Sequence, residues 1–223
     1  MKSIVLTILA VFVAATAQAE TAGGAFDGPF VSAQFGSQSA SAVETNVQTT
    51  AQPGPSINQP DALGKGGVLQ VHGGYGHDLG RMFNLTVGGF AELSGGGLAP
   101  TRAGFFGDTV DQEIANRIGL YLAPGVYVDP QTLVYAKVGV SQADHRYDRA
   151  VPGIALSQRI SGQMFGIGVK RMLDDHMFWS VDYTRVNYGL AQLGTGVPLN
   201  TFVVDVRARA ITEEVSVGFG YQF

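Results

Sequence analysis

The last ten residues, 214–223, alternate strictly between apolar side chains and small or polar ones. The apolar positions are Val215, Val217, Phe219, Tyr221 and Phe223. Because successive side chains of a β-strand point to opposite faces, a period of two predicts a strand here. One face is wholly apolar and ends in aromatic rings, and the other carries Glu, Ser, Gly and Gln. This pattern is typical of a strand that crosses a membrane in a barrel, with lipid on one side and the barrel interior on the other.

The same alternation recurs in seven earlier segments, less regularly in 28–36, 67–78 and 113–128. They are residues 28–36, 67–78, 82–94, 113–128, 132–143, 158–171 and 177–188. In the third of these, Phe90 falls on the polar, inward face. In 113–128, the alternation places Ile114 on the outward face together with Ile118, and Pro124-Gly125 predicts a bulge or bend. The total is eight strands.

The connections between these segments alternate in length. Three are tight turns of typical turn-forming residues, at 78–81, 129–131 and 173–176. The others are long, at about 38–66, 95–112, 144–157 and 189–205. We therefore predict an all-β fold, an eight-stranded antiparallel transmembrane β-barrel with short periplasmic turns and long extracellular loops.

A soluble β-sandwich or barrel is the alternative interpretation, because its strands also have a period of two. Its exposed face would carry many charges. Here the second face is mostly Gly, Ser, Thr and Gln with isolated charges, which is too poor in charge for an exterior in water. Closure of the sheet also satisfies the strand N–H and C=O groups that hydrocarbon could not.

The N-terminus has the order of a secretory signal peptide. Lys2 precedes an apolar stretch over 4–15, and Ala17-Gln18-Ala19 provides a cleavage site. An N-terminal membrane anchor is the alternative, but a spanning helix needs about 20 apolar residues. We expect residues 1–19 to be a signal peptide cleaved after Ala19, and residues 20–223 to form a single barrel domain.

Composition narrows the classes of function. The chain has no cysteine, which excludes disulfides and thiolate metal sites. Its formal net charge of −4 makes nucleic acid an unsuitable partner.

If the apolar faces point outward, six charged side chains point into the barrel, one from each of six strands. They are Glu92, Arg117, Lys137, Lys170, Asp182 and Glu214. Three positive and three negative groups in a narrow interior would offset one another's desolvation by pairing, and would plug the barrel. The alternative is a polar path for water or small solutes.

No catalytic, cofactor or metal site is predicted. The histidines are His72, His77, His145 and His176, and none has the local pairing with a hydroxyl that would indicate a catalytic triad. We predict that His72 faces the lumen and that His145 opens a long loop. His72 and His77 lie five residues apart and would face opposite sides of one strand, so they would not share a metal.

Several segments resemble the opacity-type, OmpA-like small outer-membrane proteins of Gram-negative bacteria. These are the signal peptide, G-F-G-Y-Q-F at 218–223, L-V-Y-A-K-V-G at 133–139 after an Asp-Pro-Gln turn, and V-D-Y-T at 181–184. The resemblance covers the mature chain. It implies an outer-membrane location, contact with membrane lipid and lipopolysaccharide, and extracellular loops that contact a host or the environment.

The resemblance also implies that the barrel assembly machinery reads the C-terminal aromatic residues, Tyr221 and Phe223. No periplasmic domain follows Phe223, so anchoring to peptidoglycan is not expected. The role that the resemblance favours is non-enzymatic, either structural or in surface interaction. The alternatives are a narrow porin and a lipid A-modifying enzyme, and the enzyme would need His72 or His145 to meet a serine and a carboxylate.

Overall fold

The computed structural model describes residues 24–49, 57–58, 62–80, 82–94, 110–149, 154–199 and 202–223. They form nine strands: β1 (Gly28–Thr49), β2 (Ile57–Asn58), β3 (Ala62–Asp78), β4 (Phe83–Ser94), β5 (Val110–Asp129), β6 (Thr132–Arg149), β7 (Ile154–Met172), β8 (Met177–Leu199) and β9 (Phe202–Gln222). No helix in this part of the chain is long and apolar enough to cross a membrane.

Eight of the strands close into a barrel. Each pairs antiparallel with its neighbours in chain order, from β3 to β9, and β1 pairs with both β3 and β9. The two-residue β2 pairs with β1 at Val47↔Ile57 and adds no strand to the ring. The predicted eight-stranded antiparallel barrel is therefore confirmed.

An apolar belt surrounds the half of the barrel that is nearer to the short turns. Every barrel strand contributes exposed large apolar side chains, among them Phe35, Tyr75, Val87, Leu122, Val138, Ile167, Val181 and Phe219. On β9 the belt runs from Val215 to Phe223. At about 3.3 Å per residue and a tilt of about 40°, that length spans roughly 20 Å, near the height of the lipid-facing band of outer-membrane barrels.

The strands continue well beyond this belt. We call this part of the wall the outer extension; it comprises residues 37–49, 62–67, 110–116, 142–149, 154–163, 184–199 and 202–213. The expectation of long loops was wrong over most of 38–66, 144–157 and 189–205, because paired strands continue through all three ranges. For example, β8 and β9 remain paired up to Leu199↔Phe202. A strand outside the membrane needs no apolar outer face, so the alternation fades while the pairing continues. In the remaining predicted loop, 95–112, residues 95–109 lie outside the described residues.

The irregularity in β5 lies at Asn116. Its φ is +53°, a left-handed conformation that asparagine tolerates, and the register with β6 shifts between Ala115 and Ile118. The shift reverses the inside–outside order. Ile114 is therefore buried inside the barrel, with 1% of its surface exposed, and the prediction that it faces outward with Ile118 was wrong.

The predicted bulge at Pro124-Gly125 was also wrong. The register is continuous there, with Leu122↔Val138 followed by Gly125↔Tyr135. Proline removes one N–H donor from the ladder but inserts no residue, so the strand accommodates Pro124 without changing its register.

Candidate functional site

The barrel interior is filled by side chains, as expected for eight strands. Large rings lie across the lumen where neighbouring strands present glycine. A Cβ atom at Gly88 would come within 2.5 Å of the Tyr121 ring, and one at Gly168 within 2.6 Å of the Tyr135 ring. These two positions therefore need glycine for the rings to pack where they do.

Three of the six predicted lumen charges meet in the outer half of the lumen, next to the outer extension. Arg117 donates from Nε to Glu92 and from Nη2 to Glu214 Oε2 at 2.7 Å. Gln70 Nε2 also donates to Glu214 Oε2, at 3.1 Å, and Gln70 Oε1 lies 3.0 Å from His72 Nε2. The side chains of the three charged residues are 5% exposed or less. This group is one cation held by two carboxylates.

The inner half of the lumen, nearer to the short turns, contains a second ion pair. Lys137 Nζ lies 2.7 Å from Asp182 Oδ1. The same carboxylate accepts hydrogen bonds from Tyr135 OH at 2.8 Å and from Gln34 Nε2 at 3.1 Å. Asp182 is 1% exposed, so these donors take the place of the hydrogen bonds to water that burial removes from its carboxylate.

Lys170 lies beside the inner ion pair but is not itself ion-paired. Its Nζ is 4.2 Å from the ring centroid of Phe30, 4.8 Å from that of Phe178 and 5.4 Å from that of Phe26. Ring faces attract a cation by about 0.5–2 kcal/mol each. Among the described residues, the structure records no carboxylate paired with Lys170. The six predicted charges thus form two separate groups and one lysine surrounded by rings.

A short N-terminal segment, residues 24–27, folds into the mouth of the barrel at the short-turn end. Phe26 is 1% exposed. Its ring stacks on Tyr127 with centroids 6.1 Å apart and meets Phe178 edge-on at the same distance. We call residues 24–27 the N-terminal hook; its aromatic side chain fills the mouth from below.

The hook is held by Asp78 at the end of β3. Asp78 Oδ1 accepts hydrogen bonds from Tyr127 OH and Asn84 Nδ2, both at 2.8 Å, and Oδ2 accepts one from the Gly24 N–H. Asn84 Nδ2 also donates to the Phe26 carbonyl at 3.2 Å. Sequence reasoning missed the hook because a single inserted ring has no periodic pattern.

The described histidines have different environments. His72 faces the lumen, as predicted, and stacks on Phe90 with ring centroids 5.5 Å apart. His145 lies within β6, opposite Gln158, and is 1% exposed, so the prediction that it opens a loop was wrong. In the described part of the chain, no three metal-ligating side chains lie close enough to share a metal ion.

The C-terminal aromatic residues lie on the outer surface, at the short-turn end. Tyr221 and Phe223 are 41% and 46% exposed, and their ring centroids are 4.9 Å apart. His176, from the turn between β7 and β8, stacks on Tyr221 at 5.2 Å. Together they form part of an aromatic rim below the belt, as in other membrane barrels.

Comparison with known families agrees with this geometry. Residues 5–223 match the model of the outer membrane protein beta-barrel domain. The chain belongs to this family. Its place is therefore the bacterial outer membrane, and the resemblance to small outer-membrane barrels is confirmed. A search of the curated proteins found no matching sequence.

Solved structures of small outer-membrane barrels are similar in part. Neisserial surface protein A is 15% identical with a TM-score of 0.46, covering 88% of this chain and 98% of its own. The attachment invasion locus protein Ail of Yersinia pestis is 10% identical with a TM-score of 0.42, covering 87% and 99%. The outer membrane protease OmpT of Escherichia coli is 8% identical with a TM-score of 0.47, covering 92% and 99%. Similarity at this level does not extend to activity.

Proposed function

We propose that this protein is a non-enzymatic outer-membrane barrel with a closed lumen, and that its role is structural or in surface interaction. One observation carries the proposal: the lumen is occupied by hydrogen-bonded ion pairs and aromatic rings, and Phe26 fills its inner mouth. A barrel built in this way offers its outer surfaces to partners rather than its interior. The belt contacts membrane lipid and lipopolysaccharide, and the outer extension presents polar side chains to an extracellular ligand.

A narrow porin is the second candidate, because the lumen contains polar groups. It would need a continuous path past Arg117, which contacts carboxylates on β4 and β9 at once, and past the hook. A lipid A-modifying enzyme has less support. His72 is directed toward Gln70 and packed against Phe90 within the lumen, which is not where a lipid substrate would meet it.

The surface role requires the outer extension to lie outside the cell. The chain has no cysteine, so single cysteines can be introduced and labelled without background. A membrane-impermeant maleimide should label Asn187→Cys in the outer extension on intact cells, and Asp175→Cys in a short turn only after the outer membrane is broken. Ser180→Cys, inside the lumen, is the buried control. Labelling of Asp175→Cys alone on intact cells would reverse the topology.

The role itself is tested by comparing cells with and without the protein. We expect its loss to alter adhesion or resistance to detergent and to leave uptake of small solutes unchanged. The porin would be favoured if cells without the protein took up less solute, and cells with the Arg117→Ala variant took up as much as wild-type cells.

Two processing steps belong to the same proposal. Cleavage after Ala19 would give a mature protein that begins at Glu20, which the intact mass of protein purified from outer membranes would show. It would leave residues 20–23 ahead of the hook. A mature mass that still includes residues 1–19 would support the membrane-anchor interpretation.

The second step is recognition of Tyr221 and Phe223 by the barrel assembly machinery. Deletion of Phe223 removes one exposed aromatic contact and should reduce stability in detergent by no more than about 1.5–3 kcal/mol. If the machinery reads this residue, the truncated protein should refold in detergent and yet reach the outer membrane of cells poorly. Normal abundance in cells would leave Phe223 as a rim aromatic only.

A further inference from the structure

A small cavity lies in the inner half of the lumen, between the Lys137–Asp182 pair and the rings around Lys170. Its volume is about 10 Å³, and its lining includes Lys137, Lys170, Ser32, Ser180 and Tyr121. A space of this size admits about one particle of the size of a water molecule, and a chloride ion is somewhat larger than that. Phe30 and Phe178 also line it, on the side of the inner mouth.

The charges around this cavity are not balanced. Lys137 and Lys170 both line it, and the Nζ of each lies 5.9 Å from the ring centroid of Tyr135. The carboxylate beside them is that of Asp182, which pairs with Lys137. Lys170, 6% exposed, has ring faces as its recorded contacts within the described part of the chain. A buried ammonium is costly unless a counter-charge or hydrogen-bond acceptors meet its N–H groups.

The uncharged groups around the cavity also favour an electron-rich occupant. The Ser180 hydroxyl accepts a hydrogen bond from Gln34 Nε2 at 3.5 Å, so its own hydrogen can be donated elsewhere. Tyr121 and Ser32 bring two further hydroxyl donors to the lining. Residues with ammonium and hydroxyl groups line one small space, and the carboxylate nearby is already paired, so the lining can provide the donors that an anion requires.

We propose that this cavity binds one small monoatomic anion of the size of chloride, held by Lys170 and by the neighbouring hydroxyl groups. The negative charge of the ion balances the charge of Lys170, and the small volume of the cavity excludes polyatomic anions such as sulfate.

Bromide identifies the occupant directly. Wild-type protein refolded in sodium bromide and crystallised should show an anomalous bromine peak inside the cavity. Protein refolded in sodium gluconate should show none there. Bromine peaks confined to the outer surface, with water density in the cavity, would overturn the proposal.

Thermal stability provides an independent measurement with a matched control. At equal ionic strength, wild-type protein refolded in chloride or bromide should melt several degrees higher than protein refolded in gluconate or sulfate. Lys170→Met should abolish this difference, and Lys65→Met, the same change at an exposed position, should retain it. General salt effects act on both variants alike. Equal melting temperatures of the wild type in all four salts would contradict an anion site, and the bromide experiment decides the question if Lys170→Met does not fold.

Discussion

The inward and outward faces of the same strands differ in polarity between the belt and the outer extension. In the belt, side chains such as Leu122 and Ile167 are exposed, and the interior holds ion pairs together with aromatic rings. Among the described side chains of the outer extension, the buried ones are mostly apolar, with Gln38, His145 and Thr212 as polar exceptions; the apolar ones include Ala40, Ile114, Ala143, Ile160, Val186 and Ala210. The exterior of the outer extension carries ion pairs, such as Arg159 with Asp144 at 2.9 Å and Arg185 with Glu213 at 3.2 Å. The barrel changes from a membrane wall to a soluble wall without ending a strand.

The physical cause is the solvent outside. Hydrocarbon accepts apolar side chains at no cost, so the polar groups of the belt segment are placed inside and must pair with one another. Water removes that constraint, and the hydrophobic effect then fills the interior of the outer extension with apolar groups. Identical substitutions should therefore have different costs in the two regions.

The largest difference is expected for ion pairs. Arg117→Ala leaves Glu92 and Glu214 buried without their cation and should lower the free energy of unfolding by about 3–5 kcal/mol. Arg159→Ala breaks a half-exposed pair in the outer extension and should cost about 0–1 kcal/mol. Unfolding by denaturant in lipid vesicles measures both. Equal losses would mean that the lumen is wet and that its pairs are screened as surface pairs are.

Apolar truncation should show the reverse order on β7. Ile160 is buried inside the outer extension, and Ile160→Ala should cost about 2–5 kcal/mol, because it leaves a cavity. Ile167 is 63% exposed in the belt, where lipid fills the space, so Ile167→Ala should cost clearly less. The same unfolding assay compares them, and a larger loss at Ile167 would contradict the assignment of the two regions.

Charge insertion on the outer face maps the boundary of the belt. Leu122→Arg places a cation near the middle of the belt and should cost about 2–4 kcal/mol. Asn187→Arg, on the outer face of the extension, should change stability by less than about 0.5 kcal/mol. A series of such variants along β8 would show where the cost falls to zero. A uniform cost along the strand would place the whole wall in lipid.

The contrast between the belt and the outer extension also explains which parts of the structure the sequence could predict. In the belt, the alternation correctly identified eight strands; Phe90 and the side chains of the six charged residues that it directed inward are buried. Residues 38–49 and 189–199 have no regular alternation of apolar and polar residues, so no spanning signal was present there, and His145 was assigned to a loop. One residue at Asn116 reversed the assignment of Ile114, and neither composition nor periodicity marks that shift.

The pairing of the lumen charges could not be predicted either. Which inward side chains meet depends on the stagger between distant strands. Glu92 on β4, Arg117 on β5 and Glu214 on β9 come together only after the barrel closes. The hook is similar, because Phe26 meets Tyr127 on β5 and Phe178 on β8 only once the chain has folded.

The smallest predicted effect concerns the turn between β7 and β8, which lies below the belt. The backbone N–H groups of Met177 and His176 donate to Asp174 Oδ1 at 2.7 and 2.8 Å, and these bonds hold the pKa of the Asp174 carboxyl below its usual value. The stabilisation is present above the unfolded pKa of about 4 and is lost as the pH falls through the lower folded pKa. Asp174→Asn, which keeps an acceptor, should therefore flatten the dependence of stability on pH below about pH 4. An unchanged pH profile in this variant would show that the turn bonds do not depend on the charge.

Single-channel recording in planar bilayers tests the closed lumen most directly. Wild-type protein should produce no stable conductance steps, because ion pairs and rings occupy the lumen and Phe26 fills its inner mouth. Phe26→Gly combined with Arg117→Ala opens space at both levels and is the variant most able to conduct. Reproducible wild-type steps that increase in proportion to salt concentration would contradict a closed lumen and establish an open aqueous path.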